Sequence, residues 1–180
     1  MSLYSENLND SIQRAKKLAN RHSHEFYGAA HLLLGLLHEE TGLIQMLESQ
    51  GNDVDYIKEW AAMRLETYEK TLVPPREFLP DDEANRILTE GARNQLVLGT
   101  DYVDPIGVFL AIITPGVVYS IGQLKSLPIT PQEFIQIFES GGPSESDSLT
   151  ENIQQTNSSI GNTSTGGGKK KIPYCQEYLL

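Results

Sequence analysis

"HEFYGAAHLLLGLLHEETG", His24–Gly42, sets a near-continuous apolar run between two clusters of histidine and glutamate. A metal site, a membrane span and a buried helix compete to explain it. A spanning helix needs about 20 consecutive apolar residues, whereas Leu32–Leu37 is interrupted by Gly35 and ended by His38. A zinc-protease helix needs a second histidine four positions after the first, with a glutamate beside the first. "HEFYG" and "HEETG" place Gly28 and Gly42 there instead. His22 and His24 have no cysteine nearby and no evident third ligand, so they read as solvated loop histidines. His31 and His38 lie seven apart and share a helix face; His31 is expected to be capped or hydrogen-bonded at the helix start, and His38 exposed at its end. The stretch is thus predicted to be a core helix from about Gly28–Ala30 to Glu40, apolar all round and central.

On its N-terminal side, Leu8, Ile12, Ala15 and Ala19 form one stripe of a first helix, with Arg14, Lys16, Lys17 and Arg21 off it. On the other side, a short helix over Leu43–Ser49 stops at Gly51, and Asp53 is a good N-cap for a long helix reaching about Thr71. "VPPREFLPDD" cannot continue a helix and forms a first linker. The pattern then restarts. Asp82 is an N-cap candidate, and Ala84, Leu88, Gly91 and Gln95 repeat the positions of Leu8, Ile12, Ala15 and Ala19, each 76 residues later. In the same register "HLLLGLL", His31–Leu37, lies over "GVFLAII", Gly107–Ile113. Shared order and periodicity indicate an internal duplication. The expected fold class is all-α: a pseudo-twofold pair of four-helix repeats, about eight helices, with repeats at about 5–72 and 81–139. Short helices around Val117–Lys125 and Pro131–Phe138 complete the second repeat, with Thr130 as cap and Pro131 at the first helical position.

Composition separates a double-repeat helical domain over 1–140 from a Gly/Ser/Thr/Asn-rich flexible linker over 141–168. About 140 residues can bury a stable core without metals or disulfides. The lone Cys175 excludes an internal disulfide, and "MSLYSENLND" shows no basic region followed by an apolar stretch, so a cytoplasmic protein is expected. The sequons at Asn157 and Asn162 carry no weight without secretion. Net charge is −10 and the cations are scattered apart from Lys169–Lys171, which argues against nucleic acid as a partner, as the short apolar run argues against a membrane. "GNTSTGGGKKK" imitates a phosphate loop, but Gly167 stands where the lysine must be and no strand precedes it. The linker reading is preferred; such a tether spans on the order of 30 Å.

"ANRHSHEFYGAAHLLLGLL", followed by "TG", "MLESQGNDVDYI", a proline-containing linker and a second, degenerate copy with Gly107 in place of the histidine, resembles the N-terminal domain of the Clp family of AAA+ unfoldases over about residues 5–139. "KKKIPYCQEYLL" is similar to the lead-in to the first ATPase module of these proteins, so 169–180 is expected to begin that module and Tyr174, Cys175, Tyr178 and Leu179 to pack on it. The resemblance implies a non-catalytic recognition domain for a protein substrate or adaptor. It further implies a hexameric full-length protein, a monomeric isolated domain, and ATP and Mg needed only by ATPase modules beyond this chain. A narrower version is the type VI secretion member, whose front domain takes a helix of the contracted sheath. Some relatives hold phosphoarginine through a glutamate preceding each repeat histidine; those positions here are Ala30 and Ile106, so no such recognition is expected. A small helical metalloenzyme on His22, His24, Glu39 and Glu40 is the alternative of another class.

The long helix after Asp53 supplies the candidate partner site. Val54, Ile57, Ala61, Leu65, Tyr68 and Leu72 cluster on one side, and Tyr56, Trp60 and Met63 form a second stripe roughly opposite. That second stripe either packs on the other repeat or lines a groove for a partner helix or extended peptide, with Tyr4 and Leu8 as neighbours. No catalytic, cofactor or metal residues are assigned, and His31 is given a structural role.

Overall fold

The computed structural model describes residues 3–140; the expected linker over 141–168 and the segment 169–180 lie outside the described residues. Among the described residues eight α-helices follow in chain order: α1 Glu6–Arg21, α2 Ala29–Leu36, α3 Leu43–Ser49, α4 Val54–Leu65, α5 Asp82–Leu98, α6 Pro105–Ile113, α7 Ile121–Leu124 and α8 Pro131–Ser140. The first four and the last four form the two repeats, so the all-α duplication is what the chain adopts. α2 and α6 are the most apolar helices and touch at the centre, with α1 and α4 against α2 and α5 against α6. Leu32, Leu33, Leu36, Phe109, Ile112 and Phe134 are among the fully buried side chains there. Each such side chain contributes about 1.5–3 kcal/mol by leaving water.

The pseudo-twofold relation is visible in hydrogen bonds. Ser5 N–H donates to Val103 O and Val103 N–H to Leu3 O; 76 residues on, with the partners exchanged, Asp81 N–H donates to Tyr27 O and Tyr27 N–H to Leu79 O. The entry to each first helix is thus clamped to the entry to the other repeat's second helix. Both clamps feed a capped helix, since Ser5 Oγ accepts from Leu8 N–H and Asp81 Oδ1 from Ala84 N–H. The cap of α5 is therefore Asp81, one residue earlier than expected; Asp82 is already helical.

Close approach of paired helices requires glycine, and the two repeats place it on opposite partners. In the first, a Cβ on Gly35 of α2 would collide with Ser11 O of α1. In the second, a Cβ on Gly91 of α5 would stand 2.9 Å from Val108 Cγ2 of α6. The second-helix caps are exchanged likewise. Gly28 has no side chain to cap α2, and His31 Nδ1 instead accepts from Gly28 N–H at 2.9 Å. In repeat two Asp104 caps α6 by accepting from Gly107 N–H at 2.9 Å, so the histidine's service is no longer needed at position 107. Asp104→Ala is expected to cost about 1 kcal/mol, read as a lower urea midpoint at unchanged slope.

Three helices are shorter than expected: α7 covers only Ile121–Leu124 of the stretch around Val117–Lys125, and α2 and α4 stop early. α2 ends at Leu36 rather than near Glu40, because the Thr41 hydroxyl is shared between the carbonyls of Leu36 at 2.9 Å and His38 at 2.8 Å and draws the chain into a 3-10 turn over Glu39–Thr41. α4 ends at Leu65 rather than about Thr71, and Tyr68 turns back to accept the Ala30 N–H at 3.1 Å. Leu72, assigned to the buried stripe, is consequently fully exposed.

Candidate recognition surface

α4 begins where Asp53 Oδ1 accepts the Tyr56 N–H at 3.2 Å, and Val54, Ile57, Ala61 and Leu65 bury its inner face. On the opposite stripe the three candidates part company. Tyr56 and Met63 are 42% and 70% exposed, whereas Trp60 between them is 4% exposed. The Trp60 indole N–H donates to Ser126 Oγ at 2.7 Å, and the ring meets Tyr119 edge-on with centroids 5.0 Å apart. Arg64 lays its guanidinium 3.3 Å from the centre of the indole and donates from Nη1 to Trp60 O at 3.2 Å. The stripe is thus divided: Trp60 joins the first repeat to the second, and Tyr56 and Met63 remain open. Tyr119 is buried with an unpartnered hydroxyl, and desolvation pushes its phenol pKa up.

Tyr4 and Leu8 do not extend this surface. Leu8 is fully buried under α1, a correction with a plain cause, since it opens the stripe that faces the core. Tyr4 is half-buried and bridges to Val103 at the clamp between repeats. Sequence patterning missed Leu96 and Val97, exposed at the end of α5; their signal is that they are large aliphatics off the Ala84–Leu88–Gly91 stripe.

The histidines also differ from expectation. His24, read as solvated, is 2% exposed, and its Nδ1 lies 2.8 Å from His31 Nε2. The loop is covered because it pairs with the segment that follows α4, where His24 bridges to Lys70 and Thr71 N–H donates to Ser23 O. His31 stacks parallel to Tyr68 at 4.9 Å, and burial pushes its pKa down to about 3. His38, expected to be exposed, is buried because α2 stops early and folds it against α1. Ser11 Oγ gives its proton to Asn7 O and so accepts from His38 Nε2–H at 3.1 Å, leaving His38 Nδ1 as a buried acceptor without a partner. Glu39 and Glu40 are exposed in the 3-10 turn beyond α2, apart from the His24–His31 pair at its start. Among the described residues no group of three or more His, Cys, Asp or Glu is placed to hold a metal ion, and no helix is long and apolar enough to cross a membrane. Ala30 and Ile106 occupy the first turns of α2 and α6, where each presents an aliphatic side chain.

A duplicated four-helix repeat of this kind defines a family. The family model of the Clp repeat (R) N-terminal domain matches residues 3–121. That is more than half of the 180 residues, and the chain belongs to this family. Among solved structures, the Hsp104 N-terminal domain from Candida albicans is similar with a TM-score of 0.65 and 17% identity, covering 78% of this chain and 93% of that one. The N-domain of ClpV from Vibrio cholerae is similar with a TM-score of 0.56 and 20% identity, covering 76% and 86%. A complex of the ClpV N-domain with a VipB peptide follows with a TM-score of 0.55 and 19% identity, covering 76% and 88%. At these identities the likeness is one of fold. No curated protein matches the chain.

Proposed function

We propose that the chain is the protein-recognition domain of a Clp-type unfoldase subunit, one that binds segments of substrate or adaptor proteins and catalyses nothing itself. Family membership over residues 3–121 carries the reading. The same fold holding a VipB peptide in the ClpV complex supports a protein segment as the ligand. Tyr56 and Met63, open on α4 beside the anchored Trp60, are the residues assigned to that contact. In the full-length protein ATP and Mg would serve separate ATPase modules, and a hexameric ring would present several copies, so weak individual sites gain avidity. The type VI secretion version, in which the segment is a sheath helix, draws support from the ClpV likeness.

The test is fluorescence anisotropy of the whole chain with two labelled probes, a permanently unfolded polypeptide and a helical peptide from a sheath subunit. Saturable binding of either is expected, weakened about fivefold or more in Tyr56→Ser combined with Met63→Ser, since large apolar anchors dominate such contacts. A preference for the sheath peptide would select the narrower version. Absence of binding to both, with helicity intact, would overturn the recognition reading, and equal binding by the double variant would remove the α4 stripe from it.

A further inference from the structure

The opposite edge of α4 borders a different surface. Lys58 projects there, about 200° around the helix from Tyr56, and closes a groove of about 650 Å3 whose other wall is α1 and whose floor is the end of α2. Along α1 the groove is edged by Arg14, Lys17 and Arg21, three exposed cations on one face. Lys169–Lys171 lie elsewhere in the chain, so four of the eleven remaining lysines and arginines meet at this one groove of a chain whose net charge is −10. None of the four closes a salt bridge; among the described residues the ion pair is Arg93–Glu90. Beneath them Leu18 and Leu34 are half-exposed.

From this arrangement we infer that the groove between α1, the end of α2 and α4 is a docking site for an acidic protein segment, one that sets an apolar side chain on the leucine floor and carboxylates against the cationic edges. Charge complementarity selects the acidic ligand, and two further features select a protein over other polyanions. The floor is aliphatic, which rewards a side chain and offers nothing to a phosphodiester backbone. Asp10 and Glu40 also stand on the rim, where they repel a uniform polyanion but leave space for carboxylates spaced along a peptide. The site is independent of the Tyr56–Met63 stripe and does not need it.

The test uses the whole chain and a fluorescein-labelled helical peptide with leucines on one face flanked by glutamates, beside the same peptide with every glutamate changed to glutamine. The acidic peptide is expected to bind saturably, to weaken as salt rises, and to lose at least about tenfold in affinity to Arg14→Glu combined with Lys17→Glu. Both substitutions are at exposed positions, and circular dichroism checks that helicity is kept. Lys58→Glu, on the other wall, is expected to act in the same direction. Equal binding by the glutamine peptide, equal binding by the charge-reversed variants, no saturable binding, or preference for single-stranded RNA or phosphatidylglycerol vesicles would each overturn the inference.

Discussion

Trp60→Ala is expected to lower the stability of the chain by about 3–5 kcal/mol, although Trp60 lies in a stripe that a helical wheel places opposite the core. The cost is large because three contacts converge on one ring. The indole is almost fully buried, its N–H bond to Ser126 Oγ at 2.7 Å would be lost, and Tyr119 would lose its edge-on partner at 5.0 Å. Arg64 would be left over a cavity in place of an aromatic face. Ser126 and Tyr119 belong to the second repeat and Trp60 and Arg64 to the first, so the loss falls on the joint between the halves. Trp60→Phe keeps much of the burial and gives up the hydrogen bond, and is expected to cost about half as much. Urea unfolding followed by circular dichroism measures both variants. A loss under about 1 kcal/mol in Trp60→Ala would mean that the joint is held elsewhere.

That result also marks where sequence reading stops. The starts of α4 and α8 are legible because Asp53, and Thr130 followed by Pro131, stand directly before an apolar stretch, whereas the cap of α5 is misplaced by one because Asp81 and Asp82 offer the same side chain. The duplication is legible because the 76-residue register preserves the stripe even where Gly107 has replaced a histidine. The far ends of α2 and α4 are not, because they are decided by single side chains reaching across. Thr41 takes the carbonyl of Leu36, and Tyr68 takes the amide of Ala30, 38 positions away. The same holds for the surface. Periodicity separates Tyr56, Trp60 and Met63 from the core face, but it contains nothing about Ser126, which converts one of the three from an open residue into an anchor. Burial of His24 depends on the segment after α4 returning over the loop, which no local pattern encodes.

The buried histidines should make the fold acid-sensitive well above the carboxylate range. Gly28 N–H donates to His31 Nδ1, so His31 carries its proton on Nε2 and donates it to His24 Nδ1; the proton of His24 is then on Nε2, which is buried without a partner. A further proton on His24 Nδ1 would oppose the His31 Nε2–H, and relieving that clash would move a proton to His31 Nδ1, against Gly28 N–H. Both rings resist protonation. Burial lowers the pKa of His24, with His22 and Lys70 adding to it and Glu66 opposing. Burial, then His24 and His22, lower that of His31 from 6.5 to about 3. Above pH 6.5 the unfolded and folded chains are equally neutral at these positions. Below it the unfolded chain takes up protons that the folded chain refuses, so stability falls with pH by up to about 1.4 kcal/mol per unit for each histidine, until the folded group itself titrates. For His31 the window runs from 6.5 down to about 3, which amounts to a loss of about 2 kcal/mol by pH 5. Asp81, Glu83 and Asp104, pushed up by burial, act with the opposite sign but only as the pH approaches the carboxylate range, so the histidine effect is cleanest above it. Urea midpoints across about pH 7.5 to 5 are expected to hold level to about pH 6.5 and then to fall for the wild type, and to fall less steeply in His31→Gln, which leaves His24 in place and whose amide oxygen can still accept from Gly28 N–H as a capping-box residue does. A slope unchanged by that substitution would mean that His31 takes up its proton in the folded state as readily as in the unfolded one.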